Sequence, residues 1–409
     1  MSLCQLCLHQ STLRQLSTFP LIITLLSRIS AALFILLPIA ATSAEATVED
    51  RVSSLESHIN DSIDVSGALR YQYALRDFSD GSKDRGGDFE FDTFILGVDD
   101  EYQGLIFSME YRFYRTWNAI KRGTVGYNFT DNTQGRLGLD RVPFGIMPFA
   151  SHSFFFSSNY YLGLEDNYKA GITLDHQVDD WFVQGGFYKN AGFGAGGGNS
   201  SDPGRYSYDL VTEEDCAAGF VGQCNEEINQ FNLRIARNVG ETEWGISGLR
   251  GELFNQSTER SGDYWAAAAH VNAQINNWNL MAQATKYDYS PENPTGVSNQ
   301  TVQVGAYDFL DQISAAATTY LVQVAYSQDV DMGPTSNILW YLNSNLVTDK
   351  SDDSEDTQMY IAGAAVSTGH LYTMIDLIMA KNQPFIGDSM VSTGRDWNTR
   401  FNIDFGYYF

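Results

Sequence analysis

The chain has 409 residues and carries 50 Asp and Glu against 25 Lys and Arg, which gives a formal net charge of −25. This acidic balance argues against nucleic acid as a partner, because nucleic-acid binding needs a basic face. No run of 18 apolar residues occurs after residue 44, so the mature sequence contains no transmembrane helix signal.

The first 44 residues have the pattern of a secretory signal peptide. They contain Arg14, Arg28 and no acid, followed by an apolar run at 29–40 and small residues at 41–44. A basic region, an apolar region and a small-residue cleavage site are the three parts of such a signal. Its removal would leave 365 residues with a net charge of −27, a usual length for one large barrel.

Residues 45–62 differ from everything that follows. Val48, Val52, Leu55 and Ile59 are spaced four, three and four residues apart among charged residues, which is the spacing of a coiled-coil seam. We predict a periplasmic coiled-coil segment that joins three subunits. A frayed linker helix is the alternative, because so short a helix is not stable alone.

From residue 63 onward the sequence alternates with period two, as β-strands do. In the first segment Val65, Leu69 and Tyr71 share one face, while Ser66 and Arg70 share the other. We predict an all-β fold, a 16-stranded antiparallel transmembrane β-barrel over 63–409, because bacterial barrels have an even strand number. The predicted strands lie near 63–76, 88–100, 104–116, 122–131, 134–143, 167–178, 180–190, 228–239, 242–255, 262–275, 277–289, 318–329, 335–347, 357–367, 370–381 and 396–409.

The connections between these strands alternate between tight and long, which predicts short periplasmic turns and long external loops. Residues 300–309 also alternate, but we assign them to a long loop because a seventeenth strand would break the even count. The tryptophans near predicted strand ends are typical of the two interfacial girdles of a barrel. They are Trp117, Trp181, Trp244, Trp265, Trp278, Trp340 and Trp397.

The last strand places Trp397, Phe401, Phe405 and Phe409 on one face and polar residues on the other. It resembles the closing strand of outer-membrane barrels, whose terminal aromatic residue serves as an assembly signal. Phe409 is the predicted signal here. The terminal strand of a soluble sandwich is the alternative, because one strand pattern is weak evidence for a barrel.

A Gly-Arg-Leu-Gly-Leu strand at 135–139 is followed by Arg-Val-Pro-Phe-Gly at 141–145, which opens a long connection. With the heptads and Phe409, this segment makes the chain similar to Gram-negative outer-membrane porins, and in particular to the phosphate-selective porin (O and P) family. The resemblance implies a homotrimer with the 143–167 loop folded into each lumen. It does not imply phosphate, because the chain has only 7 scattered Lys.

Charged residues of both signs occupy the predicted inward face. Opposed acids and bases across a narrow point set up a transverse field that favours small polar solutes. The alternative is that each charge is a hydrated lumen residue whose local ion pair contributes little. The candidate constriction and lumen residues are Arg70, Glu110, Arg112, Arg136, Asp140, Glu165, Asp166 and Lys169.

The sequence gives little support for a metal site or for an enzyme. Cys216 and Cys224 predict a small loop disulfide in an exported protein, and no nearby Cys or His completes a metal site. The six His are too scattered for a catalytic triad. The acidic run 349–356 lacks the spacing of an EF-hand, so we interpret it as a solvated external loop, with a divalent-cation bridge to lipopolysaccharide as the alternative.

These patterns together predict an outer-membrane porin for passive diffusion of small hydrophilic solutes or ions. Its expected partners are outer-membrane lipid and lipopolysaccharide, and it needs no cofactor and no enzyme activity. The alternative is a barrel whose external loops act as an adhesin or receptor with little conductance.

Overall fold

A computed structural model describes residues 63–193 and 201–409. The predicted signal peptide (1–44) and coiled-coil segment (45–62) lie outside these residues. The strands are β1 (Asp64–Arg76), β2 (Asp88–Tyr102), β3 (Leu105–Tyr114), β4 (Asn118–Thr130), β5 (Thr133–Arg141), β6 (Tyr168–Val178), β7 (Trp181–Asn190), β8 (Asp209–Leu210), β9 (Asn225–Val239), β10 (Thr242–Asn255), β11 (Arg260–Ile275), β12 (Trp278–Ser290), β13 (Thr301–Ala306), β14 (Phe309–Ser314), β15 (Ala316–Met332), β16 (Thr335–Thr348), β17 (Thr357–Thr368), β18 (Leu371–Lys381) and β19 (Asn398–Tyr408).

Sixteen of these strands form one closed antiparallel barrel, which confirms the predicted fold. The barrel closes where β1 pairs with β19, with Leu69 opposite Tyr407. Beyond β19, the Phe409 N–H donates to Gly67 O at 3.0 Å and the Gly67 N–H donates to Phe409 O at 2.9 Å. Closure leaves no unpaired strand edge in the barrel wall, which is what a sheet needs to stand in hydrocarbon.

The two faces of the barrel differ in polarity. Leu137, Ile172 and Leu342 are exposed on the outer face. Thr173 and Asn343, which follow Ile172 and Leu342 in sequence, are buried against the interior. The outer face is therefore suited to lipid, while the inner face can bind polar groups or water. Among the described residues, no helix is long and apolar enough to cross a membrane.

Two-residue turns join the strands at one end of the barrel. Most connections at the other end are long, apart from 115–117 and 256–259. A two-residue turn requires backbone with positive φ. Gly240 (φ 63°) and Gly369 (φ 58°) provide it between β9 and β10 and between β17 and β18. The alternation of tight and long connections therefore agrees with the pattern predicted from the sequence.

The local structure of 300–309 differs from the prediction. Instead of a loop, this region begins the hairpin β13–β14. The hairpin joins β8 in a three-stranded sheet that is not part of the barrel wall. Val302 and Val304 are 0% and 2% exposed because they pack in an apolar cluster with other loop residues. Excluding the segment from the barrel was correct, but assigning it no strand was wrong.

Smaller differences occur in two external connections. A short helix, α1 (Asp80–Arg85), lies in the predicted Gly-rich loop, and the Ser79 side chain caps its first turn. Trp117 belongs to no girdle, because its ring stacks on Tyr114 at 4.1 Å and meets Tyr307 edge-on at 5.7 Å. The other six tryptophans are exposed or lie on outward-facing strand positions, as a girdle requires: Trp181, Trp244, Trp265, Trp278, Trp340 and Trp397.

Candidate pore constriction

Residues 142–167, here called the inner loop, connect β5 to β6 and lie against the inside of the barrel wall. Five of its backbone N–H groups donate to inward-facing side chains on five different strands, β10, β12, β15, β16 and β18. The donors are Gly145, Ile146, His152, Ser158 and Phe154, with acceptors Ser247 (3.0 Å), Gln283 (2.8 Å), Gln323 (2.9 Å), Asn345 (3.1 Å) and Asp376 (3.2 Å), respectively. These bonds hold the inner loop to one side of the lumen.

An apolar cluster fills that same side. Tyr160 and Leu162 of the inner loop are 2% and 1% exposed, and they pack with Tyr208, Val302 and Met390 from three other connections. Burial of this kind contributes roughly 25 cal/mol per Å² of apolar surface. A cavity remains against the opposite wall, which β18, β19 and β1–β4 form.

Four buried or half-buried bases line this opposite wall, and we call them the basic wall: Arg70, Arg112, Lys121 and Arg400. Aromatic rings face each of them. The Arg400 Cζ lies 4.6 Å from the centre of the Phe155 ring, and the Arg70 Cζ lies 5.2 Å from that of Phe154. Cation–π contacts of this kind fix the plane of a guanidinium.

The bases are also tied to carboxylates. Glu110 accepts hydrogen bonds from Arg112, with 2.6 Å between Arg112 Nη2 and Glu110 Oε1. Lys121 Nζ lies 3.8 Å from Glu110 and 3.6 Å from Asp166 of the inner loop. Arg70 pairs with Asp92 on the neighbouring strand, with Nε donating at 2.7 Å. Arg70 and Arg112 are therefore paired within the wall, whereas Lys121 also pairs with the inner loop.

Asp166 links the inner loop to this wall and to an external loop. Its side chain accepts hydrogen bonds from the hydroxyls of Tyr206 (2.6 Å) and Tyr168 (3.1 Å), and it pairs with Arg141 Nη2 at 2.8 Å. Charge-assisted bonds are stronger than neutral ones. The carboxylate therefore fixes the position of the Tyr206 ring, above which both Arg112 and Lys121 lie at 4.6 Å.

Glu165 has a different role from its neighbour. Its carboxylate accepts the N–H of Ala150 at 2.9 Å, the N–H of Ser157 at 3.2 Å and the Ser157 hydroxyl. It therefore joins distant parts of the inner loop to one another and does not face the basic wall. Burial disfavours the charged carboxylate and raises the pKa of Glu165 to about 7.

The remaining predicted residues lie elsewhere in the lumen. Arg136 bridges Asp140 and Asp175, each at 2.7 Å, beside a separate 490 Å³ cavity nearer the tight-turn end. Lys169 is 3% exposed and pairs with Glu227 at 2.7 Å and Asp209 at 3.2 Å. The structure thus brings Glu110, Arg112 and Asp166 together but separates them from these two groups.

The candidate constriction residues predicted from the sequence did not include Lys121, Arg141 or Tyr206. The signal for Lys121 was hidden by a β-bulge: Glu110 pairs with Arg122 and Tyr111 pairs with Ile120, so Lys121 is the extra residue. Strict alternation from Val125 would point Lys121 outward. A bulge re-aims side chains in this way, and Lys121 is 4% exposed inside the barrel.

Two further predicted features lie in the external connections. Cys216 and Cys224 form a disulfide in the connection between β8 and β9. In the acidic run 349–356, Lys350 Nζ donates to the carbonyls of Glu355 and Met390, both at 2.6 Å. These bonds join the acidic run to the connection between β18 and β19, which also packs into the apolar cluster.

No protein-family profile and no curated protein sequence matches the chain. Solved structures do match. An anion-selective porin from Comamonas acidovorans aligns with a TM-score of 0.55 and 12% identity over 85% of this chain and 99% of that chain. OmpF of Salmonella typhi, in complex with daunomycin, aligns with a TM-score of 0.54 and 11% identity, covering 85% and 97%.

The outer-membrane channel DcaP of Acinetobacter baumannii aligns with a TM-score of 0.53 and 12% identity over 85% of this chain and 97% of that chain. At such low identity the likeness establishes the fold. The closed wall and the apolar outer face suit this fold to a lipid bilayer. The chain is a closed 16-stranded β-barrel with the fold of the outer-membrane porins.

Proposed function

We propose that the protein is a porin through which small hydrophilic solutes and ions cross the outer membrane passively. The observation that carries this proposal is the cavity between the inner loop and the basic wall, beside which Lys121 pairs with Asp166 of the inner loop at 3.6 Å. Fixed charges of opposite sign across a constriction orient polar solutes and water.

Passage of this kind requires no bond to form or break. The work of the protein is to hold a polar path open in the membrane, so the proposal includes no cofactor and no catalytic residue. The barrel interior supplies the hydrogen-bonding groups that a solute loses on leaving bulk water. The inner loop supplies the narrow point, because its backbone is held by five side chains of the wall.

The proposed assembly is a homotrimer in contact with outer-membrane lipid and lipopolysaccharide. The apolar outer face supports a lipid or subunit contact, since exposed apolar surface of this extent needs a nonaqueous neighbour. The resemblance to the phosphate-selective porins rests on residues 135–145, the heptads and Phe409, and it contributes only the architecture to the proposal. Gel mobility of unheated, cross-linked protein measures the subunit number directly.

A second candidate function is recognition by the external loops, with little conductance. It is favoured by the apolar cluster in which four connections pack together, including Tyr208, Val302 and Met390. A filled lumen and an ordered external surface are what a receptor or adhesin needs.

Conductance in planar bilayers separates the two functions. The full chain, purified in detergent and added to 1 M KCl, is expected to give ohmic openings. Each insertion should show three conductance steps, one for each pore of the trimer. A correctly folded barrel is identified by its heat-dependent mobility on gels. Folded protein that inserts without measurable openings would reject the porin and support the receptor.

A further inference from the structure

Between the inner loop and the basic wall lies a cavity of about 510 Å³. This volume falls within the range of small-molecule binding sites, roughly 300–1,000 Å³. Its two sides differ in chemistry. The inner loop contributes an aromatic face without any charge, and the opposite side is the basic wall. The aromatic face consists of Phe149, Phe154, Phe155, Phe156 and Tyr160.

The charge of the lining is opposite to that of the whole chain. Four bases line the cavity, and Asp92 is its one carboxylate among the described residues. The cavity nearer the tight turns has the reverse balance, with six carboxylates against three Arg. A chain with twice as many acids as bases has therefore concentrated bases at one place in the lumen. This distribution attracts anions locally.

Arg400 stands out among the four bases. It is 5% exposed, and among the described residues no carboxylate forms an ion pair with it. Its guanidinium donates to Gln72 Oε1 at 2.7 Å, Asn402 Oδ1 at 3.1 Å and Phe385 O at 3.3 Å, all neutral acceptors. An arginine has five N–H donors. A buried positive charge with neutral partners is costly, and an anion in the cavity would lower that cost.

The aromatic face offers a second, independent contact. Phe156 stacks on Tyr160 with 4.2 Å between ring centres, and Phe149 lies 5.7 Å from Phe156. Within the described part of the chain no basic group covers Phe156, unlike Phe154 and Phe155, which lie beneath Arg70 and Arg400. Its phenyl ring has no hydrogen-bonding group, so it suits the apolar, planar part of a ligand and not a sugar hydroxyl.

We propose that this cavity is a binding site for an aromatic carboxylate. The carboxylate lies against the basic wall near Arg400, where planar guanidinium groups match its geometry, and the ring lies on the aromatic face at Phe156. The proposal deepens the proposed function and rests on it, because the site would then be a stage on the solute path. An inorganic anion would use the bases alone, and a neutral aromatic solute would use the rings alone.

Calorimetric titration of the detergent-purified full chain tests the site without requiring conduction. The probes are benzoate, benzyl alcohol and inorganic phosphate, which separate ring from charge. Benzoate is expected to bind at least about tenfold more tightly than benzyl alcohol, since a hydrogen bond to a charged group is worth about 1.5–3 kcal/mol. It is also expected to bind more tightly than phosphate, which has no ring to lie on the aromatic face. Equal affinity for benzoate and either other probe would overturn the proposal.

Variants assign the two contacts. Arg400→Met should weaken benzoate binding about tenfold, whereas Arg250→Met, the same change at a side chain that is 75% exposed, should leave it unchanged. Phe156→Leu should weaken benzoate binding about threefold and leave phosphate binding unchanged. Equal losses in the Arg400 and Arg250 variants would overturn the site. Benzoate binding by a barrel that does not conduct would uphold the site and reject the porin.

Discussion

The inner loop is predicted to depend on its hydrogen bonds to the wall, and the double variant Gln283→Met, Gln323→Met tests this. Each substitution keeps an unbranched side chain of similar length and removes the acceptor of one loop N–H, that of Ile146 (2.8 Å) or His152 (2.9 Å). A donor left without a partner costs about 1–3 kcal/mol. The two sites share no hydrogen-bond partner, so the costs should add to about 2–6 kcal/mol.

Loss of about 2 kcal/mol, the lower bound, raises the population of released loop roughly 30-fold. Chymotrypsin measures that population, because cleavage follows the open fraction when opening is fast. The inner loop contains no Lys or Arg but many Phe and Tyr, so fragments that end between 144 and 161 report cleavage within it. The double variant should be cut there at least about 30 times faster than the native chain.

Gln358→Met is the matched control, because Gln358 shares the outward face of β17 with Tyr360 and makes no contact with the inner loop. It should be cut at the native rate. The thermal midpoint of the barrel on gels should differ little between the two variants, since the backbone hydrogen bonds that pair the strands of the wall are intact. Native protection of the inner loop in the double variant would refute the idea that these side chains hold it.

Three further predictions follow from the site and the barrel closure. Because burial raises the pKa of Glu165 from 4.5 to about 7, the folded chain holds a proton that the unfolded chain releases between these values, and stability falls by up to about 3 kcal/mol as the pH rises through this window. Glu165→Gln should flatten this part of the profile, measured as the difference between unfolding midpoints at pH 5 and pH 8; an unchanged slope would contradict the assignment. Cys224→Ser should remove the Cys216–Cys224 bridge, destabilise the external loop by about 2–3 kcal/mol and accelerate its proteolysis. The control is the native chain under oxidising conditions, in which the rate of proteolysis should not change. Gly67→Val should lower the yield of heat-modifiable barrel, because a Cβ there would lie 2.6 Å from the Phe409 ring and 2.5 Å from Ile95 O; Gly248→Val, where the nearest atom is 4.0 Å away, is the control, and equal yields would show that this contact at the closing strand does not matter.

The strands could be predicted from the sequence because their alternating pattern is local. Leu69 and Tyr71 face lipid while Arg70 faces the lumen, and each assignment needs only the period of two. The same reasoning gave the strand number and the order of tight and long connections. It misplaced the start of β4, which begins at Asn118 and not near 122, because the bulge at Lys121 interrupts the alternation.

The candidate site could be predicted from the sequence only in part. Glu110 and Arg112 could be assigned to the inward face, but nothing in the sequence shows that Tyr206, from a connection 40 residues after Asp166, donates to its carboxylate. Arg136 and Lys169 have the same inward pattern as Arg112, yet they pair in other parts of the lumen. Alternation gives the face on which a charge lies but not its partner.

The sequence by itself determined a closed wall with an apolar outside and a polar inside, since hydrocarbon on one face and polar groups on the other impose a period of two on every strand. The tertiary structure alone decided where the lumen is narrow and which charge lines it. Those properties depend on which connections fold inward and on the packing of Tyr160, Tyr208 and Val302, residues far apart in the chain. Contacts over such separations are set by the whole fold, and no local pattern in the sequence encodes them.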